Sequence, residues 1–164
     1  MKTFYLTTII AVFLVICMNE TQAQTTQPKL NQRELIKQFL GTYQANTGKD
    51  TVETWEAQQY GKAFVMKVSQ VIKGQKKPYY INNVGFDSKE NMFKGYLLFA
   101  NGDYATWIGS FNTEKTFTGN LVQNFDPLKV RFKLQGVFGT KEFIWTEFDP
   151  NGVKVSENTY QKIK

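Results

Sequence analysis

Hydrophobic and polar positions follow two different periods along this chain, and the switch between them falls at Leu40. Before it, Leu35/Phe39 and Ile36/Leu40 are apolar pairs four apart, and Asn31 followed by Glu34 has the spacing of a capping box. That pattern predicts one short amphipathic helix over residues 31–40. After it, apolar residues recur at every second position between turn residues, the mark of successive β-strands. The strands predicted are Gly41–Asn46, Thr51–Gln59, Lys62–Ile72, Tyr79–Phe86, Met92–Phe99, Asp103–Phe111, Lys115–Val122, Lys129–Gln135, Lys141–Phe148 and Val153–Gln161. Between them stand Thr47-Gly48, Lys73-Gly74, Asp87 to Asn91, Asn101-Gly102, Asp126-Pro127 and Pro150-Asn151-Gly152, all good turn formers. All four prolines fall outside these strands, as a hydrogen-bonded ladder requires.

Sequential antiparallel strands must dispose of two sheet edges. Closing an up-and-down β-barrel removes both, and the short loops favour it over a sandwich, whose Greek-key connections are longer. The expected fold class is therefore all-β: a closed antiparallel barrel of about ten strands with the short N-terminal helix capping one mouth.

The first residues carry a different signal. Lys2 gives a basic start, Phe4 to Met18 is an apolar stretch broken only by Thr7 and Thr8, and Thr21-Gln22-Ala23 offers small residues for cleavage. This predicts a signal peptide over 1–23, a polar linker over 24–30 and the barrel domain over 31–164, with the mature protein periplasmic or secreted. The apolar stretch falls short of the roughly 20 residues that span a bilayer. A second reading makes Leu14-Val15-Ile16-Cys17 a lipobox with Cys17 as a lipid anchor, although Ile16 stands where Gly, Ala or Ser is usual. Cleavage at Ala23 removes the one cysteine, and with it disulfides and thiolate chemistry.

The chain has no His, which removes Ser-His-Asp and Cys-His catalysis and imidazole metal ligation. Lys and Arg number 20 against 14 Asp and Glu, a net +6, but the cations are dispersed along the chain rather than concentrated as a nucleic-acid partner requires. No phosphate loop or calcium-loop spacing is present, and no cofactor is expected.

Candidate chemistry is thus aromatic. Trp55, Trp107 and Trp145 sit in the middle of three strands, where they either pack a core or line a cavity. Phe64, Met66, Tyr80 and Tyr96 are further candidates for such a wall, and Trp107 leads because Ala105 and Gly109 share its face and leave room for an indole. Arg131 alternates with Val130 and Phe132; period-2 logic puts it outside, and as a minority reading it grips a ligand anion. Glu53 and Glu56 differ in parity along their strand, as do Glu142 and Glu147, so neither pair forms an acid/base couple within a strand. A couple across strands, such as Glu147 with Asp103 or Glu157, stays open. Asp87, Asp126 and Asp149 lie at turns, where Asx bonding accounts for them.

The run Phe39-Leu40-Gly41-Thr42-Tyr43 resembles the Gly-x-Trp opening of lipocalin-like barrels, with Tyr43 in place of Trp. More closely, the chain is similar to bacterial lipocalin-like (calycin-type) domains of unknown function, from about Leu35 to Tyr160. The likeness rests on Tyr60-Gly61-Lys62-Ala63-Phe64, Gly85-Phe86-Asp87, Thr106-Trp107, Val130-Arg131-Phe132 and Phe148-Asp149-Pro150-Asn151-Gly152, followed by Tyr160. It implies a barrel fold rather than an activity. No Arg lies near the C-terminus to make the Trp-on-Arg closure typical of lipocalins.

The leading functional expectation is an exported barrel that binds a small hydrophobic or amphipathic molecule in an aromatic-lined cavity. Two alternatives remain: an enzyme using a carboxylate or Tyr as acid/base in that cavity, and a ligand-free envelope interaction protein. N-terminal sequencing of protein from its own host should start at Gln24. A lipid-modified Cys17 would make it a tethered protein, and an intact Met1 would overturn export.

Overall fold

The computed structural model describes residues 30–164, so the expected signal peptide, Cys17 and the linker up to residue 29 lie outside the described residues. The predicted helix forms in two halves. The N-cap is Asn31, whose Oδ1 accepts a hydrogen bond from the Glu34 amide at 3.3 Å. The Glu34 carboxylate turns away to pair with Lys37, so only half of the capping box exists. The α-helix α1 (Gln32–Leu35) lasts one turn and tightens into a 3-10 turn at Ile36–Phe39. Because residues three apart eclipse in a 3-10 turn, Ile36 and Phe39 point the same way. Both are buried in the barrel's end, and Leu40 then turns extended to begin the first strand.

Ten strands follow: β1 (Gly41–Gly48), β2 (Thr51–Tyr60), β3 (Ala63–Ile72), β4 (Gln75–Asp87), β5 (Met92–Phe99), β6 (Tyr104–Phe111), β7 (Thr116–Gln123), β8 (Asp126–Phe138), β9 (Glu142–Phe148) and β10 (Lys154–Lys162). Each pairs antiparallel with its sequence neighbours, and β1 pairs with β10 to close the barrel. The closing seam is short. Tyr43 stands opposite Lys162, the Thr42 amide donates to the Lys164 carbonyl at 2.8 Å, and Ile163 donates back to Thr42 at 2.9 Å. Lys162 also carries its Nζ 5.4 Å from the Tyr43 ring centroid, a cation on an aromatic face at the seam.

Alternation sorts the side chains. Tyr43, Trp55, Met66, Val84, Trp107 and Phe143 are buried inside, while Lys67, Lys94, Lys133 and Glu157 are charged residues of the outer wall. At the helix end the interior is plugged by aromatic rings. Phe39 packs edge-on against Phe117, Phe138 and Phe143 at centroid distances of 5.8, 4.7 and 5.9 Å. The plug is pinned by Gln32, whose Nε2 donates to the Phe111 carbonyl and whose Oε1 accepts from the Phe111 amide, both at 2.7 Å. The side chain thereby supplies the pairing that the end of β6 would otherwise lack.

Two prolines depart from expectation: Pro78 lies within β4 and Pro127 within β8. Both occupy ends that overhang a neighbour. β4 meets β5 only from Tyr80 onward, and β8 meets β9 only from Lys133 onward, so neither proline is asked for a hydrogen bond on that side. Each also sits next to a register shift, at Val68/Ser69 on β3 and around Val122 on β7. The β7–β8 turn correspondingly falls at Asn124-Phe125, both with positive φ, and not at Asp126-Pro127. The overhanging arms stand around the mouth opposite the helix.

Gln32→Ala leaves the buried Phe111 amide and carbonyl without partners. Urea denaturation should show a loss on the order of 2 kcal/mol with the strand content unchanged, whereas a near-neutral effect would mean that the plug holds the helix without this link.

Candidate functional site

The barrel encloses a cavity of about 280 Å³. Its floor is Ile36, Phe39 and Phe117; its open end is framed by Thr47, Gln70, Tyr79, Phe99, Glu147 and Ser156. Six of the eight residues singled out from the sequence line it together: Trp55, Trp107, Trp145, Phe64, Met66 and Tyr80. The other two do not. Tyr96 stacks on Tyr104 with centroids 5.5 Å apart, both rings exposed, because its β5 neighbour Leu97 takes the inward position. Arg131 is exposed on β8 because Phe132 and Leu134 hold the inward parity.

Trp107 is seated by a different residue from the one its own strand suggested. A Cβ on Gly95, directly opposite on β5, would lie 2.0 Å from the indole Nε1 and Cε2, so the absent side chain of Gly95 is what admits the ring. The space over Gly109 is taken by Phe117, whose Cζ a Cβ there would meet at 2.5 Å. Phe117 also packs edge-on against Trp107 at 5.8 Å. The indole N–H donates to Asn82 Oδ1 at 3.0 Å, both residues being buried. That bond fixes which way the Asn82 amide faces.

The polar centre of the cavity is Glu53. It is 6% exposed, yet every contact its carboxylate makes is with a donor: Trp55 Nε1 at 2.7 Å and Tyr160 Oη at 2.7 Å on Oε1, and Gln70 Nε2 at 2.9 Å on Oε2. A buried carboxylate is tolerated when its lone pairs are used in this way. Burial pushes the Tyr160 hydroxyl far above the usual tyrosine range, and the charge of Glu53 adds to the rise. Tyr79 and Tyr80 are raised for the same reasons in the same order, with Glu147 contributing to both. The Glu147 Oε2 accepts from Ser156 Oγ at 3.2 Å.

The cross-strand question is thereby answered for these carboxylates. Glu157 bonds Thr146 and Lys154, Asp103 sits in a turn with Asn101, and the carboxylate that shares a chamber with Glu147 is Glu53. Asp87 and Asp126 accept the amide two residues on, as Asx geometry anticipates, although Asp126 does so as the first residue of β8 rather than in a turn; Asp149 accepts the Val153 amide across its turn. Glu56 and Glu142 bond Lys76 and Gln161 and do not line the cavity.

Sequence reasoning weighed Glu53 and Glu147 only as halves of acid/base couples, and passed over Gln70, Asn82, Asn158 and Tyr160 as site residues. One signal was available for the first: Glu53 shares its face with Trp55 and Ala57, so a carboxylate stands in an otherwise apolar inward row. No family model matches the chain, and a search of curated proteins finds no match either.

The raised tyrosines make stability depend on alkaline pH. Unfolded Tyr160 loses its proton near pH 10 while the folded group keeps it, so the folded state binds more protons and stability declines as pH rises above that value. Chemical denaturation across that range should show this decline, and Tyr160→Phe should flatten it. An identical alkaline slope in the variant would place the effect on other groups.

Proposed function

We propose that this chain is an exported, lipocalin-like binding barrel that takes one small hydrophobic or amphipathic molecule into the cavity, apolar end first. The observation that carries the reading is the polarity of the chamber along its axis. Its closed end is aromatic and aliphatic, while Gln70, Glu147 and Ser156 gather at the open end, and three indoles line the wall between. Mostly apolar walls with a few placed polar groups are what small-molecule sites offer. A scaffold with no occupant has no reason to leave this volume unfilled, since inward side chains larger than Ala57 would fill it. Kinship with lipocalin-like domains is supported by the barrel with its capping turn, and export by the N-terminal apolar segment with its small-residue cleavage site.

Two measurements test this. Native mass spectrometry of protein purified from its own host should show a retained mass. Titration with the neutral probe N-phenyl-1-naphthylamine should give a saturable change in tryptophan emission, because all three Trp face the chamber. Ala57→Leu adds bulk to the wall and should weaken the probe about tenfold or more, with melting temperature unchanged or raised. Absence of saturable binding to the unmodified protein would overturn the reading.

A further inference from the structure

The charge of the cavity is opposite to that of the protein. The chain carries 20 Lys and Arg against 14 Asp and Glu, yet among the described residues no Lys or Arg lines the chamber, whereas Glu53 and Glu147 both do. At the open end Lys154 pairs with Glu157 on the outer wall, and Lys49, Lys73 and Lys77 of the neighbouring turns and the β4 arm do not line the chamber. The two carboxylates are not equivalent. Glu53 already receives three donors, one from each of Trp55, Gln70 and Tyr160, and so has little left to offer an occupant. Glu147, at the open end, receives only the Ser156 hydroxyl on Oε2, and its Oε1 has no donor among the described residues.

Building on the binding reading above, we propose that the occupant carries a cationic head, a protonated amine, seated at the mouth against Glu147, with an apolar body extending toward Phe117 and Trp145. An ammonium group supplies both the missing donor and the missing charge. A carboxylate head in the same place would face two like charges with no intervening cation, in an interior that screens poorly. The basic outer surface does not cancel this preference, because fields between solvent-exposed charges fade within about 8 Å at physiological ionic strength. Binding is thus selective by head group, and fatty acids are poor occupants despite fitting the apolar walls.

Displacement of N-phenyl-1-naphthylamine by decylamine, decanol and decanoate measures the head group alone, since the three share a tail. The expected order is amine tightest, alcohol intermediate and carboxylate weakest, with about tenfold or more between the extremes. Glu147→Gln, isosteric and at the mouth, should bring amine and carboxylate close together while leaving decanol unchanged, and Glu147→Lys should invert their order. Decanoate competing as well as decylamine in the unmodified protein would overturn the cationic-head inference and leave the binding barrel standing. An amine preference untouched by both Glu147 variants would overturn the role given to this residue. Failure of the probe itself to bind would remove the binding reading and this inference together.

Discussion

Closure of ten strands into one ring is the constraint from which the rest of the structure follows. An eight-stranded barrel is about as wide as its own inward side chains can fill, and each added strand widens the interior. This chain answers the surplus at one end only. The one-turn helix and the 3-10 turn after it deliver Ile36 and Phe39 into the barrel, where Phe39 meets the rings of β7, β8 and β9. Among the described residues nothing comparable enters at the other end, and the cavity is what remains. The seam that permits all this is narrow: Tyr43 pairs with Lys162 and Gln44 with Gln161, and the hydrogen bonds of Thr42 with Ile163 and Lys164 extend it.

The same geometry explains why polar groups can sit inside. A buried carboxylate is costly unless its oxygens are occupied, and Glu53 is satisfied by residues from three strands: Trp55 on its own β2, Gln70 on β3 and Tyr160 on β10. Because β10 reaches β2 only around the closing strand β1, this network ties the two ends of the chain together across the seam. Trp107 and Asn82 make a smaller version on the facing wall. Two of the three indoles therefore have their N–H groups committed and present their faces to the chamber.

Much of the fold was legible in the chain. The alternation of apolar and polar residues placed every strand, and Trp55, Tyr80, Trp107 and Trp145 line the cavity as their candidacy required; Lys62 to Ile72 is apolar on both faces, so for Phe64 and Met66 only the structure decides that they face inward. The errors fall where a strand outruns its neighbour. A proline is incompatible with a doubly paired strand, so Pro78 and Pro127 read as breaks; in an overhanging arm that objection disappears, and only the relative stagger of neighbouring strands reveals an overhang. Tyr96 and Arg131 were candidates by residue type, and alternation within their own strands turned them outward.

What the sequence determined by itself is local: the period of each segment, the capping Asn31, the turn chemistry and which side chains share a face. Those properties depend on residues within one or two turns of each other along the chain, so they are written in it directly. The tertiary structure alone decided which faces meet. That Gly95 makes the space for Trp107, that Tyr160 reaches Glu53 across 107 positions, and that Glu147 and Glu53 share one chamber all depend on register between strands and on closure of the ring. Register sums small preferences over many pairs and loops, so no single segment carries it, and the chemistry of the chamber follows from the assembled ring.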